Sequence, residues 1–140
     1  GLSGWAEEPQ GLLALLILLD QFPRNLFRGT ARAFAGDAQA RQLAGLAIAG
    51  GWDRKLTAGE KIFVYLPFEH SEALADQERA VALFTALAAA HPGCEGFLDY
   101  ARRHHEVIAR FGRFPHRNAV LGRPSTPDET SYLAQPGSGF

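Results

Sequence analysis

The side chains most suited to chemistry in this sequence lie in two similar segments that both contain Phe-Pro. The first is residues 22–25, two positions after Asp20, and the second is residues 114–118, which include His116. Positions 110 to 123, around the second segment, hold four arginines in a chain whose net charge is −1. Guanidinium groups bind carboxylates and phosphates through paired hydrogen bonds. This local excess of positive charge therefore predicts a site for an anion.

Asp20 is an unusual residue because it ends a long apolar stretch. We expect it at the C-terminal end of a buried helix, where the helix dipole disfavours a carboxylate and a buried ion needs a partner. Pro23 is expected to displace Arg24, so the expected partner is a distant arginine or backbone amides. Asp20 is interpreted either as half of a structural ion pair that anchors the turn or as a functional carboxylate.

The arginines of the second segment also allow two interpretations. They either hold an anion, or they cap helix C termini and pair with Asp20, Glu69 or Glu72. The residues predicted to bind a ligand are Asp20, Arg24, Asn25, His70, His105, Arg110, Arg113, His116, Arg117 and Asn118.

Common catalytic and metal-binding motifs are missing from the sequence. No histidine pair has the i, i+4 spacing of a His-Glu-x-x-His helix, and His104 fits an apolar stripe, so no metal and no cofactor is predicted. The sequence has no Gly-x-Ser-x-Gly and no phosphate-binding glycine loop, and Ser71 is predicted to be an N-cap. Cys94 is the one cysteine, which favours a reducing, cytoplasmic location.

Composition narrows the class of protein further. A chain of 140 residues with 46% hydrophobic and 21% charged residues favours one globular domain, predicted over residues 1–140. The nearly neutral charge gives no basis for binding nucleic acid or an anionic membrane. The longest apolar run, residues 12–19, is too short to cross a bilayer. The chain contains no methionine, so Gly1 is not expected to be the native start.

Apolar periodicity and capping residues predict an all-α fold of antiparallel helix pairs joined by short loops. Prolines 23 and 67 are expected to end helices, and Thr57 and Ser71 are expected to begin them. Residues 135–140 are expected to be a loosely attached tail. The predicted helices cover about residues 12–22, 31–49, 58–66, 72–90, 95–111 and 127–133, with a further helical turn at 118–121.

Four motifs resemble the bacterial DUF924 family, and together they span nearly the whole chain. They are residues 18–30 (Leu-Leu-Asp-Gln-Phe-Pro-Arg-Asn-Leu-Phe-Arg-Gly-Thr), 65–72 (Tyr-Leu-Pro-Phe-Glu-His-Ser-Glu), 76–79 (Asp-Gln-Glu-Arg) and 110–118 (Arg-Phe-Gly-Arg-Phe-Pro-His-Arg-Asn). The resemblance implies a right-handed, TPR-like α-α superhelix, no established activity, and a few dozen further residues before Gly1. Glu69 departs from the family pattern, in which methionine is common, and this weakens a catalytic role for Glu69.

Three functions remain open from the sequence. The first is a binding module in which the two Phe-Pro segments meet around a small anionic ligand or an acidic peptide. The second is a hydrolase or transferase acting on an anionic substrate, with Asp20 or His116 as general base. The third is a structural role, in which the two segments are polar clasps and partners bind elsewhere.

Overall fold

The computed structural model describes residues 9–140, and this part of the chain is all helical, without a strand. No described helix is long and apolar enough to cross a membrane. The α-helices are α1 (Pro9–Leu16), α2 (Phe22–Leu26), α3 (Asp37–Ala49), α4 (Ala58–Glu69), α5 (Leu74–Ala90), α6 (Glu95–Phe111) and α7 (Pro127–Leu133). A π-helical turn spans Ile17–Gln21, and 3-10 turns span Ala31–Phe34, Trp52–Lys55 and Pro115–Arg117.

The first helix does not end at Pro23, so that prediction is wrong. Helical backbone continues through the π-helical turn, in which the Phe22 N–H donates to the carbonyl oxygen of Ile17, five residues earlier. Pro23 then lies in the first turn of α2, where a missing N–H is tolerated. Arg24 consequently stays one helical turn beyond Asp20 instead of being displaced from it.

Gly36 lets the segment before α3 approach the π-helical turn very closely. A Cβ added to Gly36 would collide with the Leu19 carbonyl oxygen and would lie 2.8 Å from the Leu19 carbonyl carbon. The helix predicted over residues 31–49 is therefore divided into a 3-10 turn and α3. The Thr30 hydroxyl donates to the Phe27 carbonyl, 2.7 Å away, and caps neither element.

The helix that contains Pro67 also continues past its proline, because α4 ends at Glu69. Gln77, fully buried on α5, donates from its side-chain amide to the carbonyls of Glu69 and Ser71 and so satisfies the end of α4. Helix α5 begins at Leu74, later than predicted. Ser71 is not its N-cap, since the Ser71 hydroxyl donates to Asp76 and accepts from the Ala73 N–H.

The main core is formed where α1, α3, α4, α5 and α6 pack together. Leu16, Phe68 and Phe84 are fully or almost fully buried there, and α3 contributes Ala40 and Ala44, whose small side chains permit close helix contact. The predicted helix ends at residues 50–51 and at Gly112 are confirmed; Gly51 and Gly112 have φ values of 74° and 73°.

Two capping boxes with a Thr-x-x-Glu pattern begin α4, as predicted, and α7. At α4, the Glu60 N–H donates to the Thr57 hydroxyl at 3.2 Å, and the Thr57 N–H donates to the Glu60 carboxylate at 3.0 Å. Thr126 and Glu129 form the same reciprocal pair at α7. Both helix starts are therefore set by local sequence.

Thr57→Ala is expected to lower the free energy of unfolding by about 1 kcal/mol, because one N-terminal N–H of α4 loses its acceptor. Urea denaturation would measure the change. Thr85→Ala is the matched control, since the Thr85 hydroxyl only donates to the Val81 carbonyl within α5. Equal losses in the two variants would contradict a capping role for Thr57.

The last residues fold back against α6 and α7. The Phe140 ring stacks on the His104 ring with centroids 3.7 Å apart, and the Ser138 hydroxyl donates to the Leu133 carbonyl at 3.1 Å. These contacts involve the tail for which composition predicts loose attachment. Residues 118–121 form a hydrogen-bonded turn, in which the Leu121 N–H donates to the Arg117 carbonyl oxygen at 3.0 Å. Trp5, for which the sequence predicts a packing partner, lies outside the described residues.

Candidate functional site

Asp20 is buried, with 1% of its surface exposed, and it lies in the π-helical turn. Its Oδ1 atom is 2.8 Å from His70 Nδ1 and 3.5 Å from Arg24 Nη2, and the Gln21 amide donates to its Oδ2 atom. Burial alone would raise the pKa of Asp20, but the hydrogen bond from His70 and the charge of Arg24 hold it below its ordinary value. Asp20 is therefore an ionised, fully partnered carboxylate.

Asp37 connects the two Phe-Pro segments. Its Oδ1 atom is 2.9 Å from Arg24 Nη2, and its Oδ2 atom is 3.9 Å from Arg117 Nη1. The Arg117 guanidinium lies 4.4 Å from the centroid of the Phe34 ring and 4.7 Å from that of Phe114, within cation–π range of both. The two segments, far apart in sequence, therefore come together in the fold.

Arg117 also closes the end of α4, because its Nη2 atom donates to the carbonyl oxygen of His70 at 2.8 Å. Only 7% of Arg117 is exposed. Burial, with the positive charge of Arg24 nearby, lowers the pKa of Arg117 to about 10, so the guanidinium remains charged at neutral pH. This contact agrees with the helix-capping interpretation of the arginines, although it uses only part of the guanidinium.

Two clefts border this charged cluster. We call the first, about 400 Å³, the arginine cleft; it is lined by Gln21, Arg24, Asn25, Arg28, Gly29, Ala33, Phe34, His116, Val120 and Phe140. We call the second, about 340 Å³, the acid–base cleft; it is lined by Asp37, Ala38, Arg41, Pro67, His70, Ser71, Glu72, Asp76 and Arg117. The arginine cleft has no side-chain carboxylate in its lining, whereas the acid–base cleft has three.

Unpartnered polar atoms are concentrated in the same cluster. Residues 9–140 contain five buried side-chain nitrogen or oxygen atoms without a hydrogen-bond partner, and four are Arg24 Nε, Asp37 Oδ2, His116 Nδ1 and Arg117 Nε. Such atoms are uncommon in folded proteins and cost free energy when they stay unsatisfied. Burial and the nearby Arg117 lower the pKa of His116 to about 4, so His116 is neutral at pH 7.

Arg113 and Asn118 brace the segment that carries Arg117 and line neither cleft. Arg113 forms two hydrogen bonds with the Glu129 carboxylate, at 2.8 and 2.7 Å. The Asn118 side chain donates to the Ser125 hydroxyl and accepts from Arg123, whose guanidinium also pairs with Glu72 at 2.8 and 3.0 Å. These contacts hold residues 113–129 against the start of α5.

Two other residues predicted for the site lie away from the clefts, on α6. Arg110 lies over the Phe111 ring, 4.5 Å from its centroid, and borders a separate surface depression with Arg113. His105 is partly buried and lines neither cleft. Asn25, in contrast, is exposed and lines the arginine cleft.

Sequence reasoning did not identify Asp37, Phe34 or Arg28 as part of the site. Asp37 begins α3, and an acidic residue in the first turn of a helix has an ordinary explanation in the helix dipole. Phe34 lies in a 3-10 turn that the sequence assigns to a longer helix. Arg28 lies only three residues after the Phe22–Asn25 segment, and this proximity is the one sequence signal for that arginine.

A neutral acid–histidine pair lies beneath the cluster. Glu69 and His104 are 2% and 4% exposed, and Glu69 Oε2 is 4.0 Å from His104 Nε2, too far for a hydrogen bond. Burial and the charge of Asp20 raise the pKa of Glu69 to about 8, and burial lowers that of His104 to about 3. Both groups are thus uncharged near pH 7, and the prediction that His104 is a core residue is confirmed.

The described part of the chain brings together no group of three or more histidine, cysteine, aspartate or glutamate side chains that could hold a metal ion. Its fold and its site define an all-helical domain with a buried charged cluster between two clefts. The chain belongs to DUF924, a family of bacterial proteins of unknown function, whose model matches residues 1–137. The resemblance of the four motifs is thereby confirmed, while the TPR-like superhelix remains a prediction.

A solved structure of a protein of unknown function from Agrobacterium tumefaciens is similar to this chain. The two are 47% identical and superpose with a TM-score of 0.87, over 95% of this chain and 72% of the other. No curated protein matches the chain. The similarity supports the helical fold and carries no assigned activity.

Proposed function

We propose that this protein binds a small organic anion in the arginine cleft. The observation that carries the proposal is the lining of that cleft, which combines Arg24, Arg28 and His116 with the side-chain amides of Gln21 and Asn25 and contains no side-chain carboxylate. Guanidinium and amide groups are suitable donors to carboxylate or phosphate oxygens. A volume of about 400 Å³ suits a small molecule or the acidic end of a peptide.

The state of the two arginines supports this assignment. Arg28 is exposed, and its guanidinium makes only a long hydrogen bond, 3.5 Å, to the Asn25 side chain. Arg24 pairs with Asp37 through Nη2, but its buried Nε atom has no partner among residues 9–140. An anion in the cleft would neutralise Arg28 and could satisfy the unpartnered donor of Arg24 after a small movement of its side chain.

The acid–base cleft is a poorer place for an anion. Its lining includes Asp37, Glu72 and Asp76, and of its two arginines, Arg41 already forms a paired contact with Asp76 at 2.7 to 3.1 Å. An anion bound there would lie close to these carboxylates and would be repelled by them. The two clefts therefore differ in the charge of the ligand that they favour.

Arg28→Ala is expected to weaken anion binding ten- to a hundredfold, because a charge-assisted hydrogen bond contributes roughly 1.5–3 kcal/mol. Isothermal titration with inorganic phosphate, phosphosugars, nucleotides and dicarboxylates would measure it, and the affinity of each bound anion should fall as salt concentration rises. Arg102→Ala, on the exposed side of α6, is the matched control and should not change the affinity. Binding that is equal in both variants, or no binding of any of these anions, would favour the purely structural clasp.

A further inference from the structure

We propose that His70 is a general base that activates water in the acid–base cleft, that Asp20 is its positioning residue, and that the cleft hydrolyses an uncharged carboxylic ester. This inference concerns a different cleft from the proposed anion site and does not depend on it. It makes the protein an enzyme whose catalytic histidine lies at the end of α4.

The Asp20–His70 contact fixes the proton on one nitrogen of the imidazole. Asp20 is ionised and its side chain is 2% exposed, and Oδ1 is 2.8 Å from His70 Nδ1, so Nδ1 carries the proton and donates it. The lone pair of a neutral His70 is then on Nε2, across the ring. Nε2 has no hydrogen-bond partner among residues 9–140 and keeps solvent-accessible surface, and His70 lines the acid–base cleft.

The groups around His70 make its surroundings nearly neutral overall. Asp20 and Asp37 face it from the π-helical turn and from α3, and Arg24 and Arg117 face it from the two Phe-Pro segments. Glu69 and His104 beneath it are uncharged near pH 7. In the rest of the cleft, the carboxylates have arginine partners: Glu72 binds Arg123 and Asp76 binds Arg41. Such balanced charges favour an uncharged substrate.

Arg117 supplies the second element that ester hydrolysis requires. It is more than nine-tenths buried and lines the acid–base cleft, and its Nε atom has no partner among the described residues. A fixed guanidinium at the wall of a cleft stabilises negative charge that develops on a carbonyl oxygen. The stacking of Arg117 against Phe34 and Phe114 holds it in place without using its donors.

The reaction is then a hydrolysis that consumes one water. The oxygen of a water attacks the ester carbonyl carbon while His70 Nε2 takes a proton from that water, and the carbonyl electron pair becomes an oxyanion facing Arg117. When the oxyanion collapses, the carbon–oxygen bond to the alcohol breaks, and the leaving oxygen takes the proton from Nε2. The products are a carboxylic acid and an alcohol, and His70 returns to its neutral form while Asp20 keeps its charge throughout.

His70→Asn is the most informative variant, because the asparagine amide can still donate to Asp20 while the base at Nε2 is lost. With p-nitrophenyl acetate as the probe, we expect kcat to fall at least a hundredfold, as removal of a general base does. His70→Ala should regain part of its activity when imidazole is added, which a purely structural histidine would not show. His91→Ala, in the loop after α5, is the control for non-specific histidine reactivity and should match the wild type.

Asp20→Asn tests the positioning role. It should lower kcat and leave KM nearly unchanged, and nitrogen-detected NMR should show that His70 no longer carries its proton on Nδ1. The proposal is overturned if wild-type protein does not hydrolyse p-nitrophenyl acetate faster than the His70→Asn variant, or if NMR of the wild type finds the proton on Nε2. His70→Asn separates the two sites, because it should stop ester hydrolysis and leave anion affinity unchanged in the arginine cleft, which His70 does not line.

Discussion

Glu69→Gln is expected to raise the melting temperature at pH 8, by on the order of 10 °C, and to change it little at pH 5. Glu69 is a buried carboxyl whose pKa is raised from 4.5 to about 8 by burial and by the charge of Asp20. Glutamine has nearly the same shape and stays neutral at every pH. It therefore mimics the protonated form that the fold prefers.

The direction of this effect follows from proton binding. In the unfolded chain the carboxyl of Glu69 ionises near pH 4.5, whereas in the folded protein it ionises near pH 8. Between those values the folded protein holds one more proton, so the free energy of unfolding falls as pH rises. Each unit of pKa corresponds to about 1.4 kcal/mol, which makes the loss across the interval roughly 3–5 kcal/mol.

His104 changes the pH dependence of the free energy of unfolding in the opposite direction. Its pKa is lowered from 6.5 to about 3, so folding expels a proton between those values and stability rises with pH there. Between pH 4.5 and 6.5 the stability lost through Glu69 and the stability gained through His104 cancel. Above pH 6.5 only the loss of stability due to Glu69 remains. Thermal denaturation from pH 5 to 8 should therefore show a decline above pH 6.5 that is absent in Glu69→Gln.

Glu72→Gln is the matched control, because the sign of its effect is reversed. The hydrogen bonds from Arg123 and from the Phe114 N–H outweigh burial and lower the pKa of Glu72. Its replacement should destabilise the protein at neutral pH, and the difference should close at low pH as the wild-type carboxylate takes up a proton. If Glu69→Gln behaves like Glu72→Gln, the buried neutral carboxyl described for Glu69 is incorrect.

Gly36→Ala is expected to cost at least about 3 kcal/mol of stability, the upper part of the range for overpacked positions. The added Cβ would collide with the Leu19 carbonyl oxygen and would lie 2.8 and 2.9 Å from its carbonyl carbon and Cα atom. These are backbone atoms, so no rotamer change can relieve the contact. The π-helical turn or the start of α3 would have to move, and each carries a carboxylate of the charged cluster.

Gly45→Ala is the control for Gly36→Ala because Gly45 lies within α3 itself. A Cβ there would meet Arg41 Nη1 at 3.9 Å and Phe68 Cζ at 4.0 Å, which are ordinary contacts. Alanine should stabilise the helix by roughly 0.5–1 kcal/mol. Urea denaturation of the two variants would compare them, and a loss for Gly36→Ala as small as any change at Gly45 would contradict the close approach at Leu19.

Local signals in the sequence predicted most of the helical fold. The Thr-x-x-Glu pattern identified the start of α4, and the glycines at 51 and 112 identified two helix ends, because each acts on its immediate neighbours. The helix ends predicted at the two prolines were wrong, because the effect of each proline depends on residues beyond its immediate neighbours. Whether Pro23 ends a helix depends on the π-helical turn before it, and the end of α4 depends on Gln77, which belongs to the next helix, α5.

The candidate site was predictable in outline but not in its pairings. The excess of arginines and the buried Asp20 indicated that the two Phe-Pro segments attract each other, and the structure brings them together. The partners themselves depend on packing: Asp20 contacts His70, and Arg24 and Arg117 both approach Asp37. No pattern in a single sequence pairs residues that are separated by whole helices.

The arginine cleft is lined by residues from both Phe-Pro segments, which lie near opposite ends of the described chain. A ligand held there would act as a non-covalent tie across almost the whole fold, and it could bind only after the chain had closed on itself. At a concentration a hundred times its Kd, such a ligand adds about 2.7 kcal/mol to the free energy of unfolding. Ligand binding in this one small cleft would thus slow the global unfolding of the protein.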